Sequence, residues 1–235
     1  MRVRTMAWLG GMAALALGTP PAHALEVDLE LVLAVDVSAS VDEDEALLQR
    51  DGYVRALVDP RVVQAIENGP LGRIALTYVE WGGHLHQVTV VGWTVIDGAA
   101  SARAFAETLA RAPISAEVWT SISTAIDYSA RLFDDNGLEG ARRVIDVSGD
   151  GTNNRGRPEV EARDAAVAKG ITINGLPIVN QRPNLGGGQP PKDLDKYYEA
   201  KVIGGPGAFM EVAEGFESFG EAILKKLIRE IALAP

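Results

Sequence analysis

Residues 29–37 are apolar at nearly every position past Glu30, until Asp36 interrupts the run at its end. Unbroken apolar character predicts a strand covered on both faces rather than one. Ala46, Leu47, Arg50, Tyr53, Val54, Leu57 and Val58 then recur at helical spacing, so a helix follows. Its first turn holds Asp42, Glu43, Asp44 and Glu45, where the helix dipole favours negative charge and the side chains are expected in solvent. Residues 73–81 predict a second strand closed by Gly82-Gly83, and 86–94 a third, joined to the second as a hairpin. Residues 101–111 and 121–133 have helical patterns, the latter with Ile122, Ala125, Ile126 and Phe133 facing inward.

The second half repeats the alternation. Residues 143–148 read as a buried strand ending in Gly149-Asp150-Gly151. Residues 158–169 read as a helix, with Pro158 at its first position and Gly170 past its end. Strands at 171–179 and 209–213 and a closing amphipathic helix at 216–231 complete the count, with a Gly/Pro/Asn-rich loop at 180–191. Six strands alternating with helices predict an α/β, doubly wound, Rossmann-like fold. The sheet is a single mostly parallel one, with one antiparallel edge strand and helices on both faces.

The start of the chain stands apart from this pattern. Arg2 and Arg4 precede an apolar stretch to Leu17, and Thr19-Pro20-Pro21-Ala22-His23-Ala24 ends in small residues at alternate positions. That order predicts a signal peptide over residues 1–24, cleaved after Ala24, leaving one domain over 25–235 in a periplasmic or secreted setting. The apolar run is too short for a bilayer span, which needs about 20 residues. Removing it leaves 20 basic against 32 acidic residues, a net charge of −12. Such a surface argues against nucleic acid as a partner and favours cations. With no cysteine in the chain, export adds no disulfide.

In an open α/β sheet, ligands bind beyond the carboxyl ends of the strands. Three sequence features arrive at that edge: Asp36-Val37-Ser38-Ala39-Ser40, Trp119-Thr120-Ser121 at a helix start, and Gly149-Asp150-Gly151. Carboxylates and hydroxyls without sulfur or imidazole suit a hard cation. In extended backbone, residues i, i+2 and i+4 point the same way, so Asp36, Ser38 and Ser40 can face one ion. Helix capping explains Ser40 alone but not the whole set. Ser121 and Ser123 read as first-turn residues, and His84 and His86 as surface residues lacking a third ligand. Asn153, Asn154 and Arg155 stand between turn chemistry and partner contact, and Trp119 is expected to plug the core.

These motifs resemble the von Willebrand factor A-type domain and its metal-ion-dependent adhesion site. The family's Asp-x-Ser-x-Ser matches Asp36, Ser38 and Ser40, its separate threonine matches Thr120, and its Asp-Gly matches Asp150-Gly151. Val-Ser-Gly-Asp-Gly-Thr-Asn-Asn and Val-Ile-Gly-Gly-Pro-Gly-Ala-Phe are also similar to a secreted bacterial branch of it. The resemblance implies that Ser38, Ser40 and Thr120 touch a divalent metal through hydroxyls, with Asp36 and Asp150 beside it or acting through water. It further implies a protein partner whose Asp or Glu carboxylate completes the coordination. Mg²⁺ suits a small oxygen cage best, with Mn²⁺ and Ca²⁺ as alternatives.

Two other roles fit the same residues. Asp36 could accept a phosphoryl group in an Mg²⁺-dependent hydrolase or phosphatase, but Ser38 stands where a second carboxylate would be needed as general acid. No Gly-x-Ser-x-Gly elbow or P-loop is present. Alternatively, a metal would only tighten the fold. The lack of a nucleophile paired with a base favours binding over catalysis.

Overall fold

The computed structural model describes residues 24–180 and 189–232. The expected signal segment, through His23, and most of the 180–191 loop lie outside these residues. Strands β1 (Leu25–Val27) and β2 (Glu30–Asp36) open the chain, followed by helices α1 (Glu43–Leu57) and α2 (Pro60–Glu67). Next come β3 (Ile74–Trp81), β4 (Gln87–Ile96), α3 (Ala99–Arg111), α4 (Ile122–Arg131), β5 (Leu138–Gly140) and β6 (Arg143–Gly149). Then α5 (Glu159–Ala168), β7 (Ile171–Pro177), α6 (Leu194–Lys201) and α7 (Phe219–Ala232) close the domain, α7 being entered through a 3₁₀ turn at Phe216–Ser218.

The main sheet has the order β4-β3-β2-β6-β7 and is parallel except for β4, which pairs antiparallel with β3 at one edge. Every residue of β2 and β3 is buried, as expected of central strands covered on both faces, with Thr77 and Glu80 the polar positions within β3. Edge strand β4 is mostly half-buried, with only Val91 and Ile96 fully covered. Helices α1, α2, α3 and α7 bury Tyr53, Val62, Phe105 and Phe219 on one face. Helices α4, α5 and α6 bury Ile126, Ala162 and Tyr198 on the other. Among the described residues no helix is long and apolar enough to cross a membrane.

Among the described residues the sheet has five strands, not six. Residues 209–213 run parallel beside β7 but form only isolated bridges, Gly175 with Met210 and Ile178 with Ala213, because Pro177 has no N–H and interrupts the ladder between the bonds Glu211 N to Gly175 O and Ala213 N to Pro177 O. A separate two-stranded parallel pair, β1 with β5, was not apparent in the sequence. Nor was α2, although Asp59 caps it and Pro60 fills its first turn, both ordinary start signals. Pro158 precedes α5 as its N-cap rather than occupying its first position, and Gly170 closes that helix at φ 76°.

The buried stripe of α1 is rotated from the expected one. Leu47 and Val58 are exposed, whereas Glu45, Gln49 and Arg50 are buried beside Tyr53, Ala56 and Leu57. Asp42 and Glu45 form a capping box, and the side chain of Glu45 turns toward the carboxyl edge of the sheet rather than into solvent. Gly52 fixes the helix position, since a Cβ there would lie 2.8 Å from Phe219 Cδ1 on α7.

Candidate metal centre

Asp36 ends β2, and its backbone pairs with Trp81 on β3, so its side chain emerges at the carboxyl edge of the sheet. The chain then turns within two residues: Ser38 N donates to Asp36 Oδ1 at 2.8 Å, and Val41 N donates to Ser38 O at 2.9 Å. This turn stacks three hydroxyls and a carboxylate into one chain of hydrogen bonds. Thr120 Oγ1 donates to Ser38 Oγ at 3.1 Å, Ser38 Oγ and Ser40 Oγ are 3.2 Å apart, and Ser40 Oγ donates to Asp150 Oδ1 at 2.5 Å. All five sequence-derived residues therefore converge, from three separate segments. Asp36, Ser38, Thr120 and Asp150 are buried, and Ser40 is half-buried.

The arrangement is electrostatically unbalanced. Asp36 Oδ2 is buried without a hydrogen-bond partner among the described residues. Burial, and then the negative charge of Asp150, push the Asp36 carboxyl well above the usual range. Burial also pushes Asp150 up to about 6, against the lowering effect of the Ser40 hydrogen bond and with a further rise from Glu45. Two buried carboxylates, one raised by the charge of the other and carrying an orphaned oxygen, fit a divalent cation, which offsets both penalties at once. Among the described residues no three His, Cys, Asp or Glu side chains gather as a ligand group. A cation at this edge would therefore draw on hydroxyl oxygens.

Behind the carboxylates lie residues that sequence reasoning missed. Gly149 admits Asp36: a Cβ there would be 2.8 Å from Asp36 Oδ2 and 3.0 Å from the Tyr198 hydroxyl. Tyr198, from α6, is fully buried, and burial and the charge of Asp36 hold its phenol neutral. Gln49 Nε2 donates to Asp36 O at 3.3 Å. Nothing marks Tyr198 or Gln49 in the sequence except the helical period, because the contacts arise from packing of separate helices on the sheet edge.

The loop after Asp150 is tied to α4. Asn154 Oδ1 accepts from Thr120 N at 3.0 Å, and Asn153 Oδ1 accepts from Ser123 N at 3.1 Å. Asn153 N in turn donates to the Tyr197 hydroxyl at 2.9 Å. The two asparagine side chains thus position the site. Ser121 Oγ donates to Arg155 O at 2.9 Å, and Gly156, at φ 83°, passes so close that a Cβ would meet Ser123 Oγ at 2.6 Å. Ser121 and Ser123 thus act as loop anchors.

In front of this network is an open cleft of about 380 Å³, lined by Ser40, Thr120, Asp150, Gly151, Asn154 and Gln189 among others. Asp36 and Ser38 lie behind that lining. Trp119 is exposed at the rim instead of plugging the core, because the chain approaches Thr120 over the outside of the β3–β4 turn. His84 and His86 lie in that turn, before β4 begins, with His86 Nδ1 3.5 Å from Glu117 Oε1.

The sequence profile of a family described as a protein of unknown function, DUF1194, matches residues 26–235. The chain belongs to this family. No curated protein matches the DUF1194 chain by sequence. Its fold is shared by several solved structures. Proximal thread matrix protein 1 from the mussel byssus has a TM-score of 0.63 at 14% identity, covering 89% of this chain and 49% of its own. A further structure of that mussel protein is described as having a zinc-occupied MIDAS motif, with a TM-score of 0.60, 13% identity, and coverage of 88% and 46%. BatB from Bacteroides thetaiotaomicron has a TM-score of 0.56 at 22% identity, with coverage of 87% and 98%. A von Willebrand factor type A protein from Catenulispora acidiphila has 0.58 at 14%, with coverage of 88% and 42%. The DUF1194 chain thus has a von Willebrand factor A-like fold, and spans about half the length of the mussel protein.

Proposed function

We propose that this protein is an exported, metal-dependent protein-binding module of the adhesion type. Ser38, Ser40 and Thr120 hold a divalent cation, most suitably Mg²⁺, through their hydroxyls, and Asp36 and Asp150 balance its charge directly or through water. When bound, such an ion supplies an electrophilic coordination position for a carboxylate of a partner protein. The single observation carrying this reading is the orphaned, buried Asp36 Oδ2 at the base of a three-hydroxyl network that ends on a second buried carboxylate. Mostly neutral ligands leave the ion's charge unquenched, so an incoming Asp or Glu side chain gains most of the interaction. The zinc-occupied motif named for the mussel protein, which shares the fold, supports a metal-binding reading.

The test is isothermal titration with Mg²⁺, Mn²⁺ and Ca²⁺ on the mature chain and on Asp36→Ala. Stoichiometric uptake by the native chain and none by the variant is expected. Equal uptake by both, or none by either, overturns the assignment.

A further inference from the structure

The rim of the cleft carries a positive charge that the metal network does not use. Arg155 leaves the Asp150 loop and stacks on Trp119, its guanidinium carbon 3.5 Å from the ring centroid. Trp119 is 43% exposed and its neighbour Val118 66%. Arg155 is itself exposed, and among the described residues its side chain meets no carboxylate; its polar contact is Nη1 to Asn154 O at 3.1 Å. In a chain with 32 acidic and 22 basic residues, that leaves an unneutralised guanidinium beside the cleft.

The ledge is built rather than loose. Asn154 N and Arg155 N both donate to Thr120 O, at 2.9 and 3.2 Å, so the backbone of the stack is fixed to the threonine of the site. Gly83 backs the indole, since a Cβ there would lie 3.3 Å from Trp119 Cβ. An arginine already laid on an aromatic face loses little further freedom when its fork meets a carboxylate.

We propose that the Trp119–Arg155 ledge is the second half of the binding site and selects an acidic segment of the partner that offers a second carboxylate beside the one at the ion. This rests on the metal reading above. One carboxylate goes to the ion; the other takes the guanidinium, and its methylenes lie along the indole edge.

The test titrates the Mg²⁺-loaded chain with three capped Ala/Gly peptides carrying Glu-Ala-Glu, Glu-Ala-Gln or Gln-Ala-Glu, since side chains two residues apart in an extended strand project to the same side. Binding is followed at the indole N–H signal of Trp119 by NMR, with Mg²⁺ uptake measured separately by calorimetry. The doubly acidic peptide is expected to bind about fivefold more tightly than either single one, the effect of one partly exposed ion pair. In Arg155→Ala that preference should vanish while Mg²⁺ uptake is unchanged. Equal affinity for all three peptides, a preference that survives Arg155→Ala, or no peptide binding alongside normal Mg²⁺ uptake overturns the ledge and leaves the metal site standing. Absence of Mg²⁺ uptake removes both.

Discussion

Ser40 Oγ and Asp150 Oδ1, 110 positions apart in the chain, share a 2.5 Å hydrogen bond that closes the carboxyl edge of the sheet. In the metal-free protein this bond and the hydroxyl chain behind it supply part of the compensation that a cation would give. Asp36 Oδ2 is left with none, and its charged form remains costly in the buried setting.

A first expectation follows for metal and stability. If a divalent ion binds only the folded chain, Mg²⁺ at about a hundred times its Kd adds about 2.7 kcal/mol. For a domain of this size that is roughly 5–10 °C in Tm. Asp36→Asn should abolish the shift. Its metal-free melting temperature should equal or exceed that of the native chain, because a buried charge has been removed. Scanning calorimetry with and without EDTA checks both, and a variant that still responds to Mg²⁺ contradicts the assignment.

Gly149→Ala probes the same carboxylate by crowding. The added methyl would stand 2.8 Å from Asp36 Oδ2 and 3.1 Å from its Cβ, with Tyr198 closing the other side. Overpacking of this kind costs about 1–3 kcal/mol. Here the displaced group is the proposed counter-charge to the ion. Chemical denaturation should show the loss, and calorimetry a weaker Mg²⁺ affinity. Unchanged affinity would mean that Asp36 does not need this position.

What was legible in the sequence follows from which signals are local. The Asp-x-Ser-x-Ser turn, Thr120 at a helix start and the Gly-Asp-Gly after β6 each carry their position in their own neighbours, and the structure brings all five named residues together. The β2, β3 and β6 runs were legible because strands buried on both faces have little choice of composition. The rotation of α1 was not. Its apolar residues outnumber the places that face the core, and Gln49 and Glu45 turn inward only because the sheet edge offers them Asp36 O and the capping box. Residues 209–213 had strand composition, but whether a segment gains a ladder depends on the edge it meets. Trp119 was misjudged for a similar reason: size and apolarity argue for the core, and only the path of the chain over Gly82 and Gly83 puts the ring outside.

Beneath the site, a buried ion pair steadies the segment that delivers Thr120. Arg50 Nη2 bonds Glu80 Oε1, while Arg50 Nη1 donates to Leu109 O at 2.7 Å and Ala112 O at 3.0 Å. Glu80 Oε2 accepts from Ser115 N at 2.9 Å. Both side chains are almost wholly buried. Glu80→Gln leaves the guanidinium buried and uncompensated, a loss of about 3–5 kcal/mol. Amide exchange from Ser115 to Thr120 should quicken in the variant. Pairing Arg50→Met with Glu80→Leu should recover much of the stability by removing both charges. A single variant as stable as the native chain would show that the pair holds nothing.

A second buried charge cluster sets the response to pH. Lys226 Nζ on α7 lies 2.7 Å from Asp146 Oδ1 on β6 and 2.6 Å from Glu230 Oε1, and all three side chains are inaccessible. Burial drives the Asp146 carboxyl up to about 7, with the Lys226 ammonium pulling the other way and Glu230 adding to the rise. Burial opposes the charge of Lys226, yet the two carboxylates hold its ammonium above the ordinary value. Because the folded pKa of Asp146 exceeds the ordinary 3.8, the folded state binds that proton more tightly than the unfolded state. The resulting stability is fully present below about pH 4 and is lost as pH rises through about 7, at no more than about 1.4 kcal/mol per pH unit. Lys226 stays charged across that window and adds no slope there. Asp146→Asn removes the titration and leaves the other carboxylates in place. Denaturant unfolding in EDTA at intervals from acid to neutral pH should therefore show the variant's stability, relative to the native chain, climbing toward pH 7 and levelling off beyond it. A difference that stays flat, or falls, means that Asp146 is already ionised throughout and that the ion pair with Lys226 outweighs its burial.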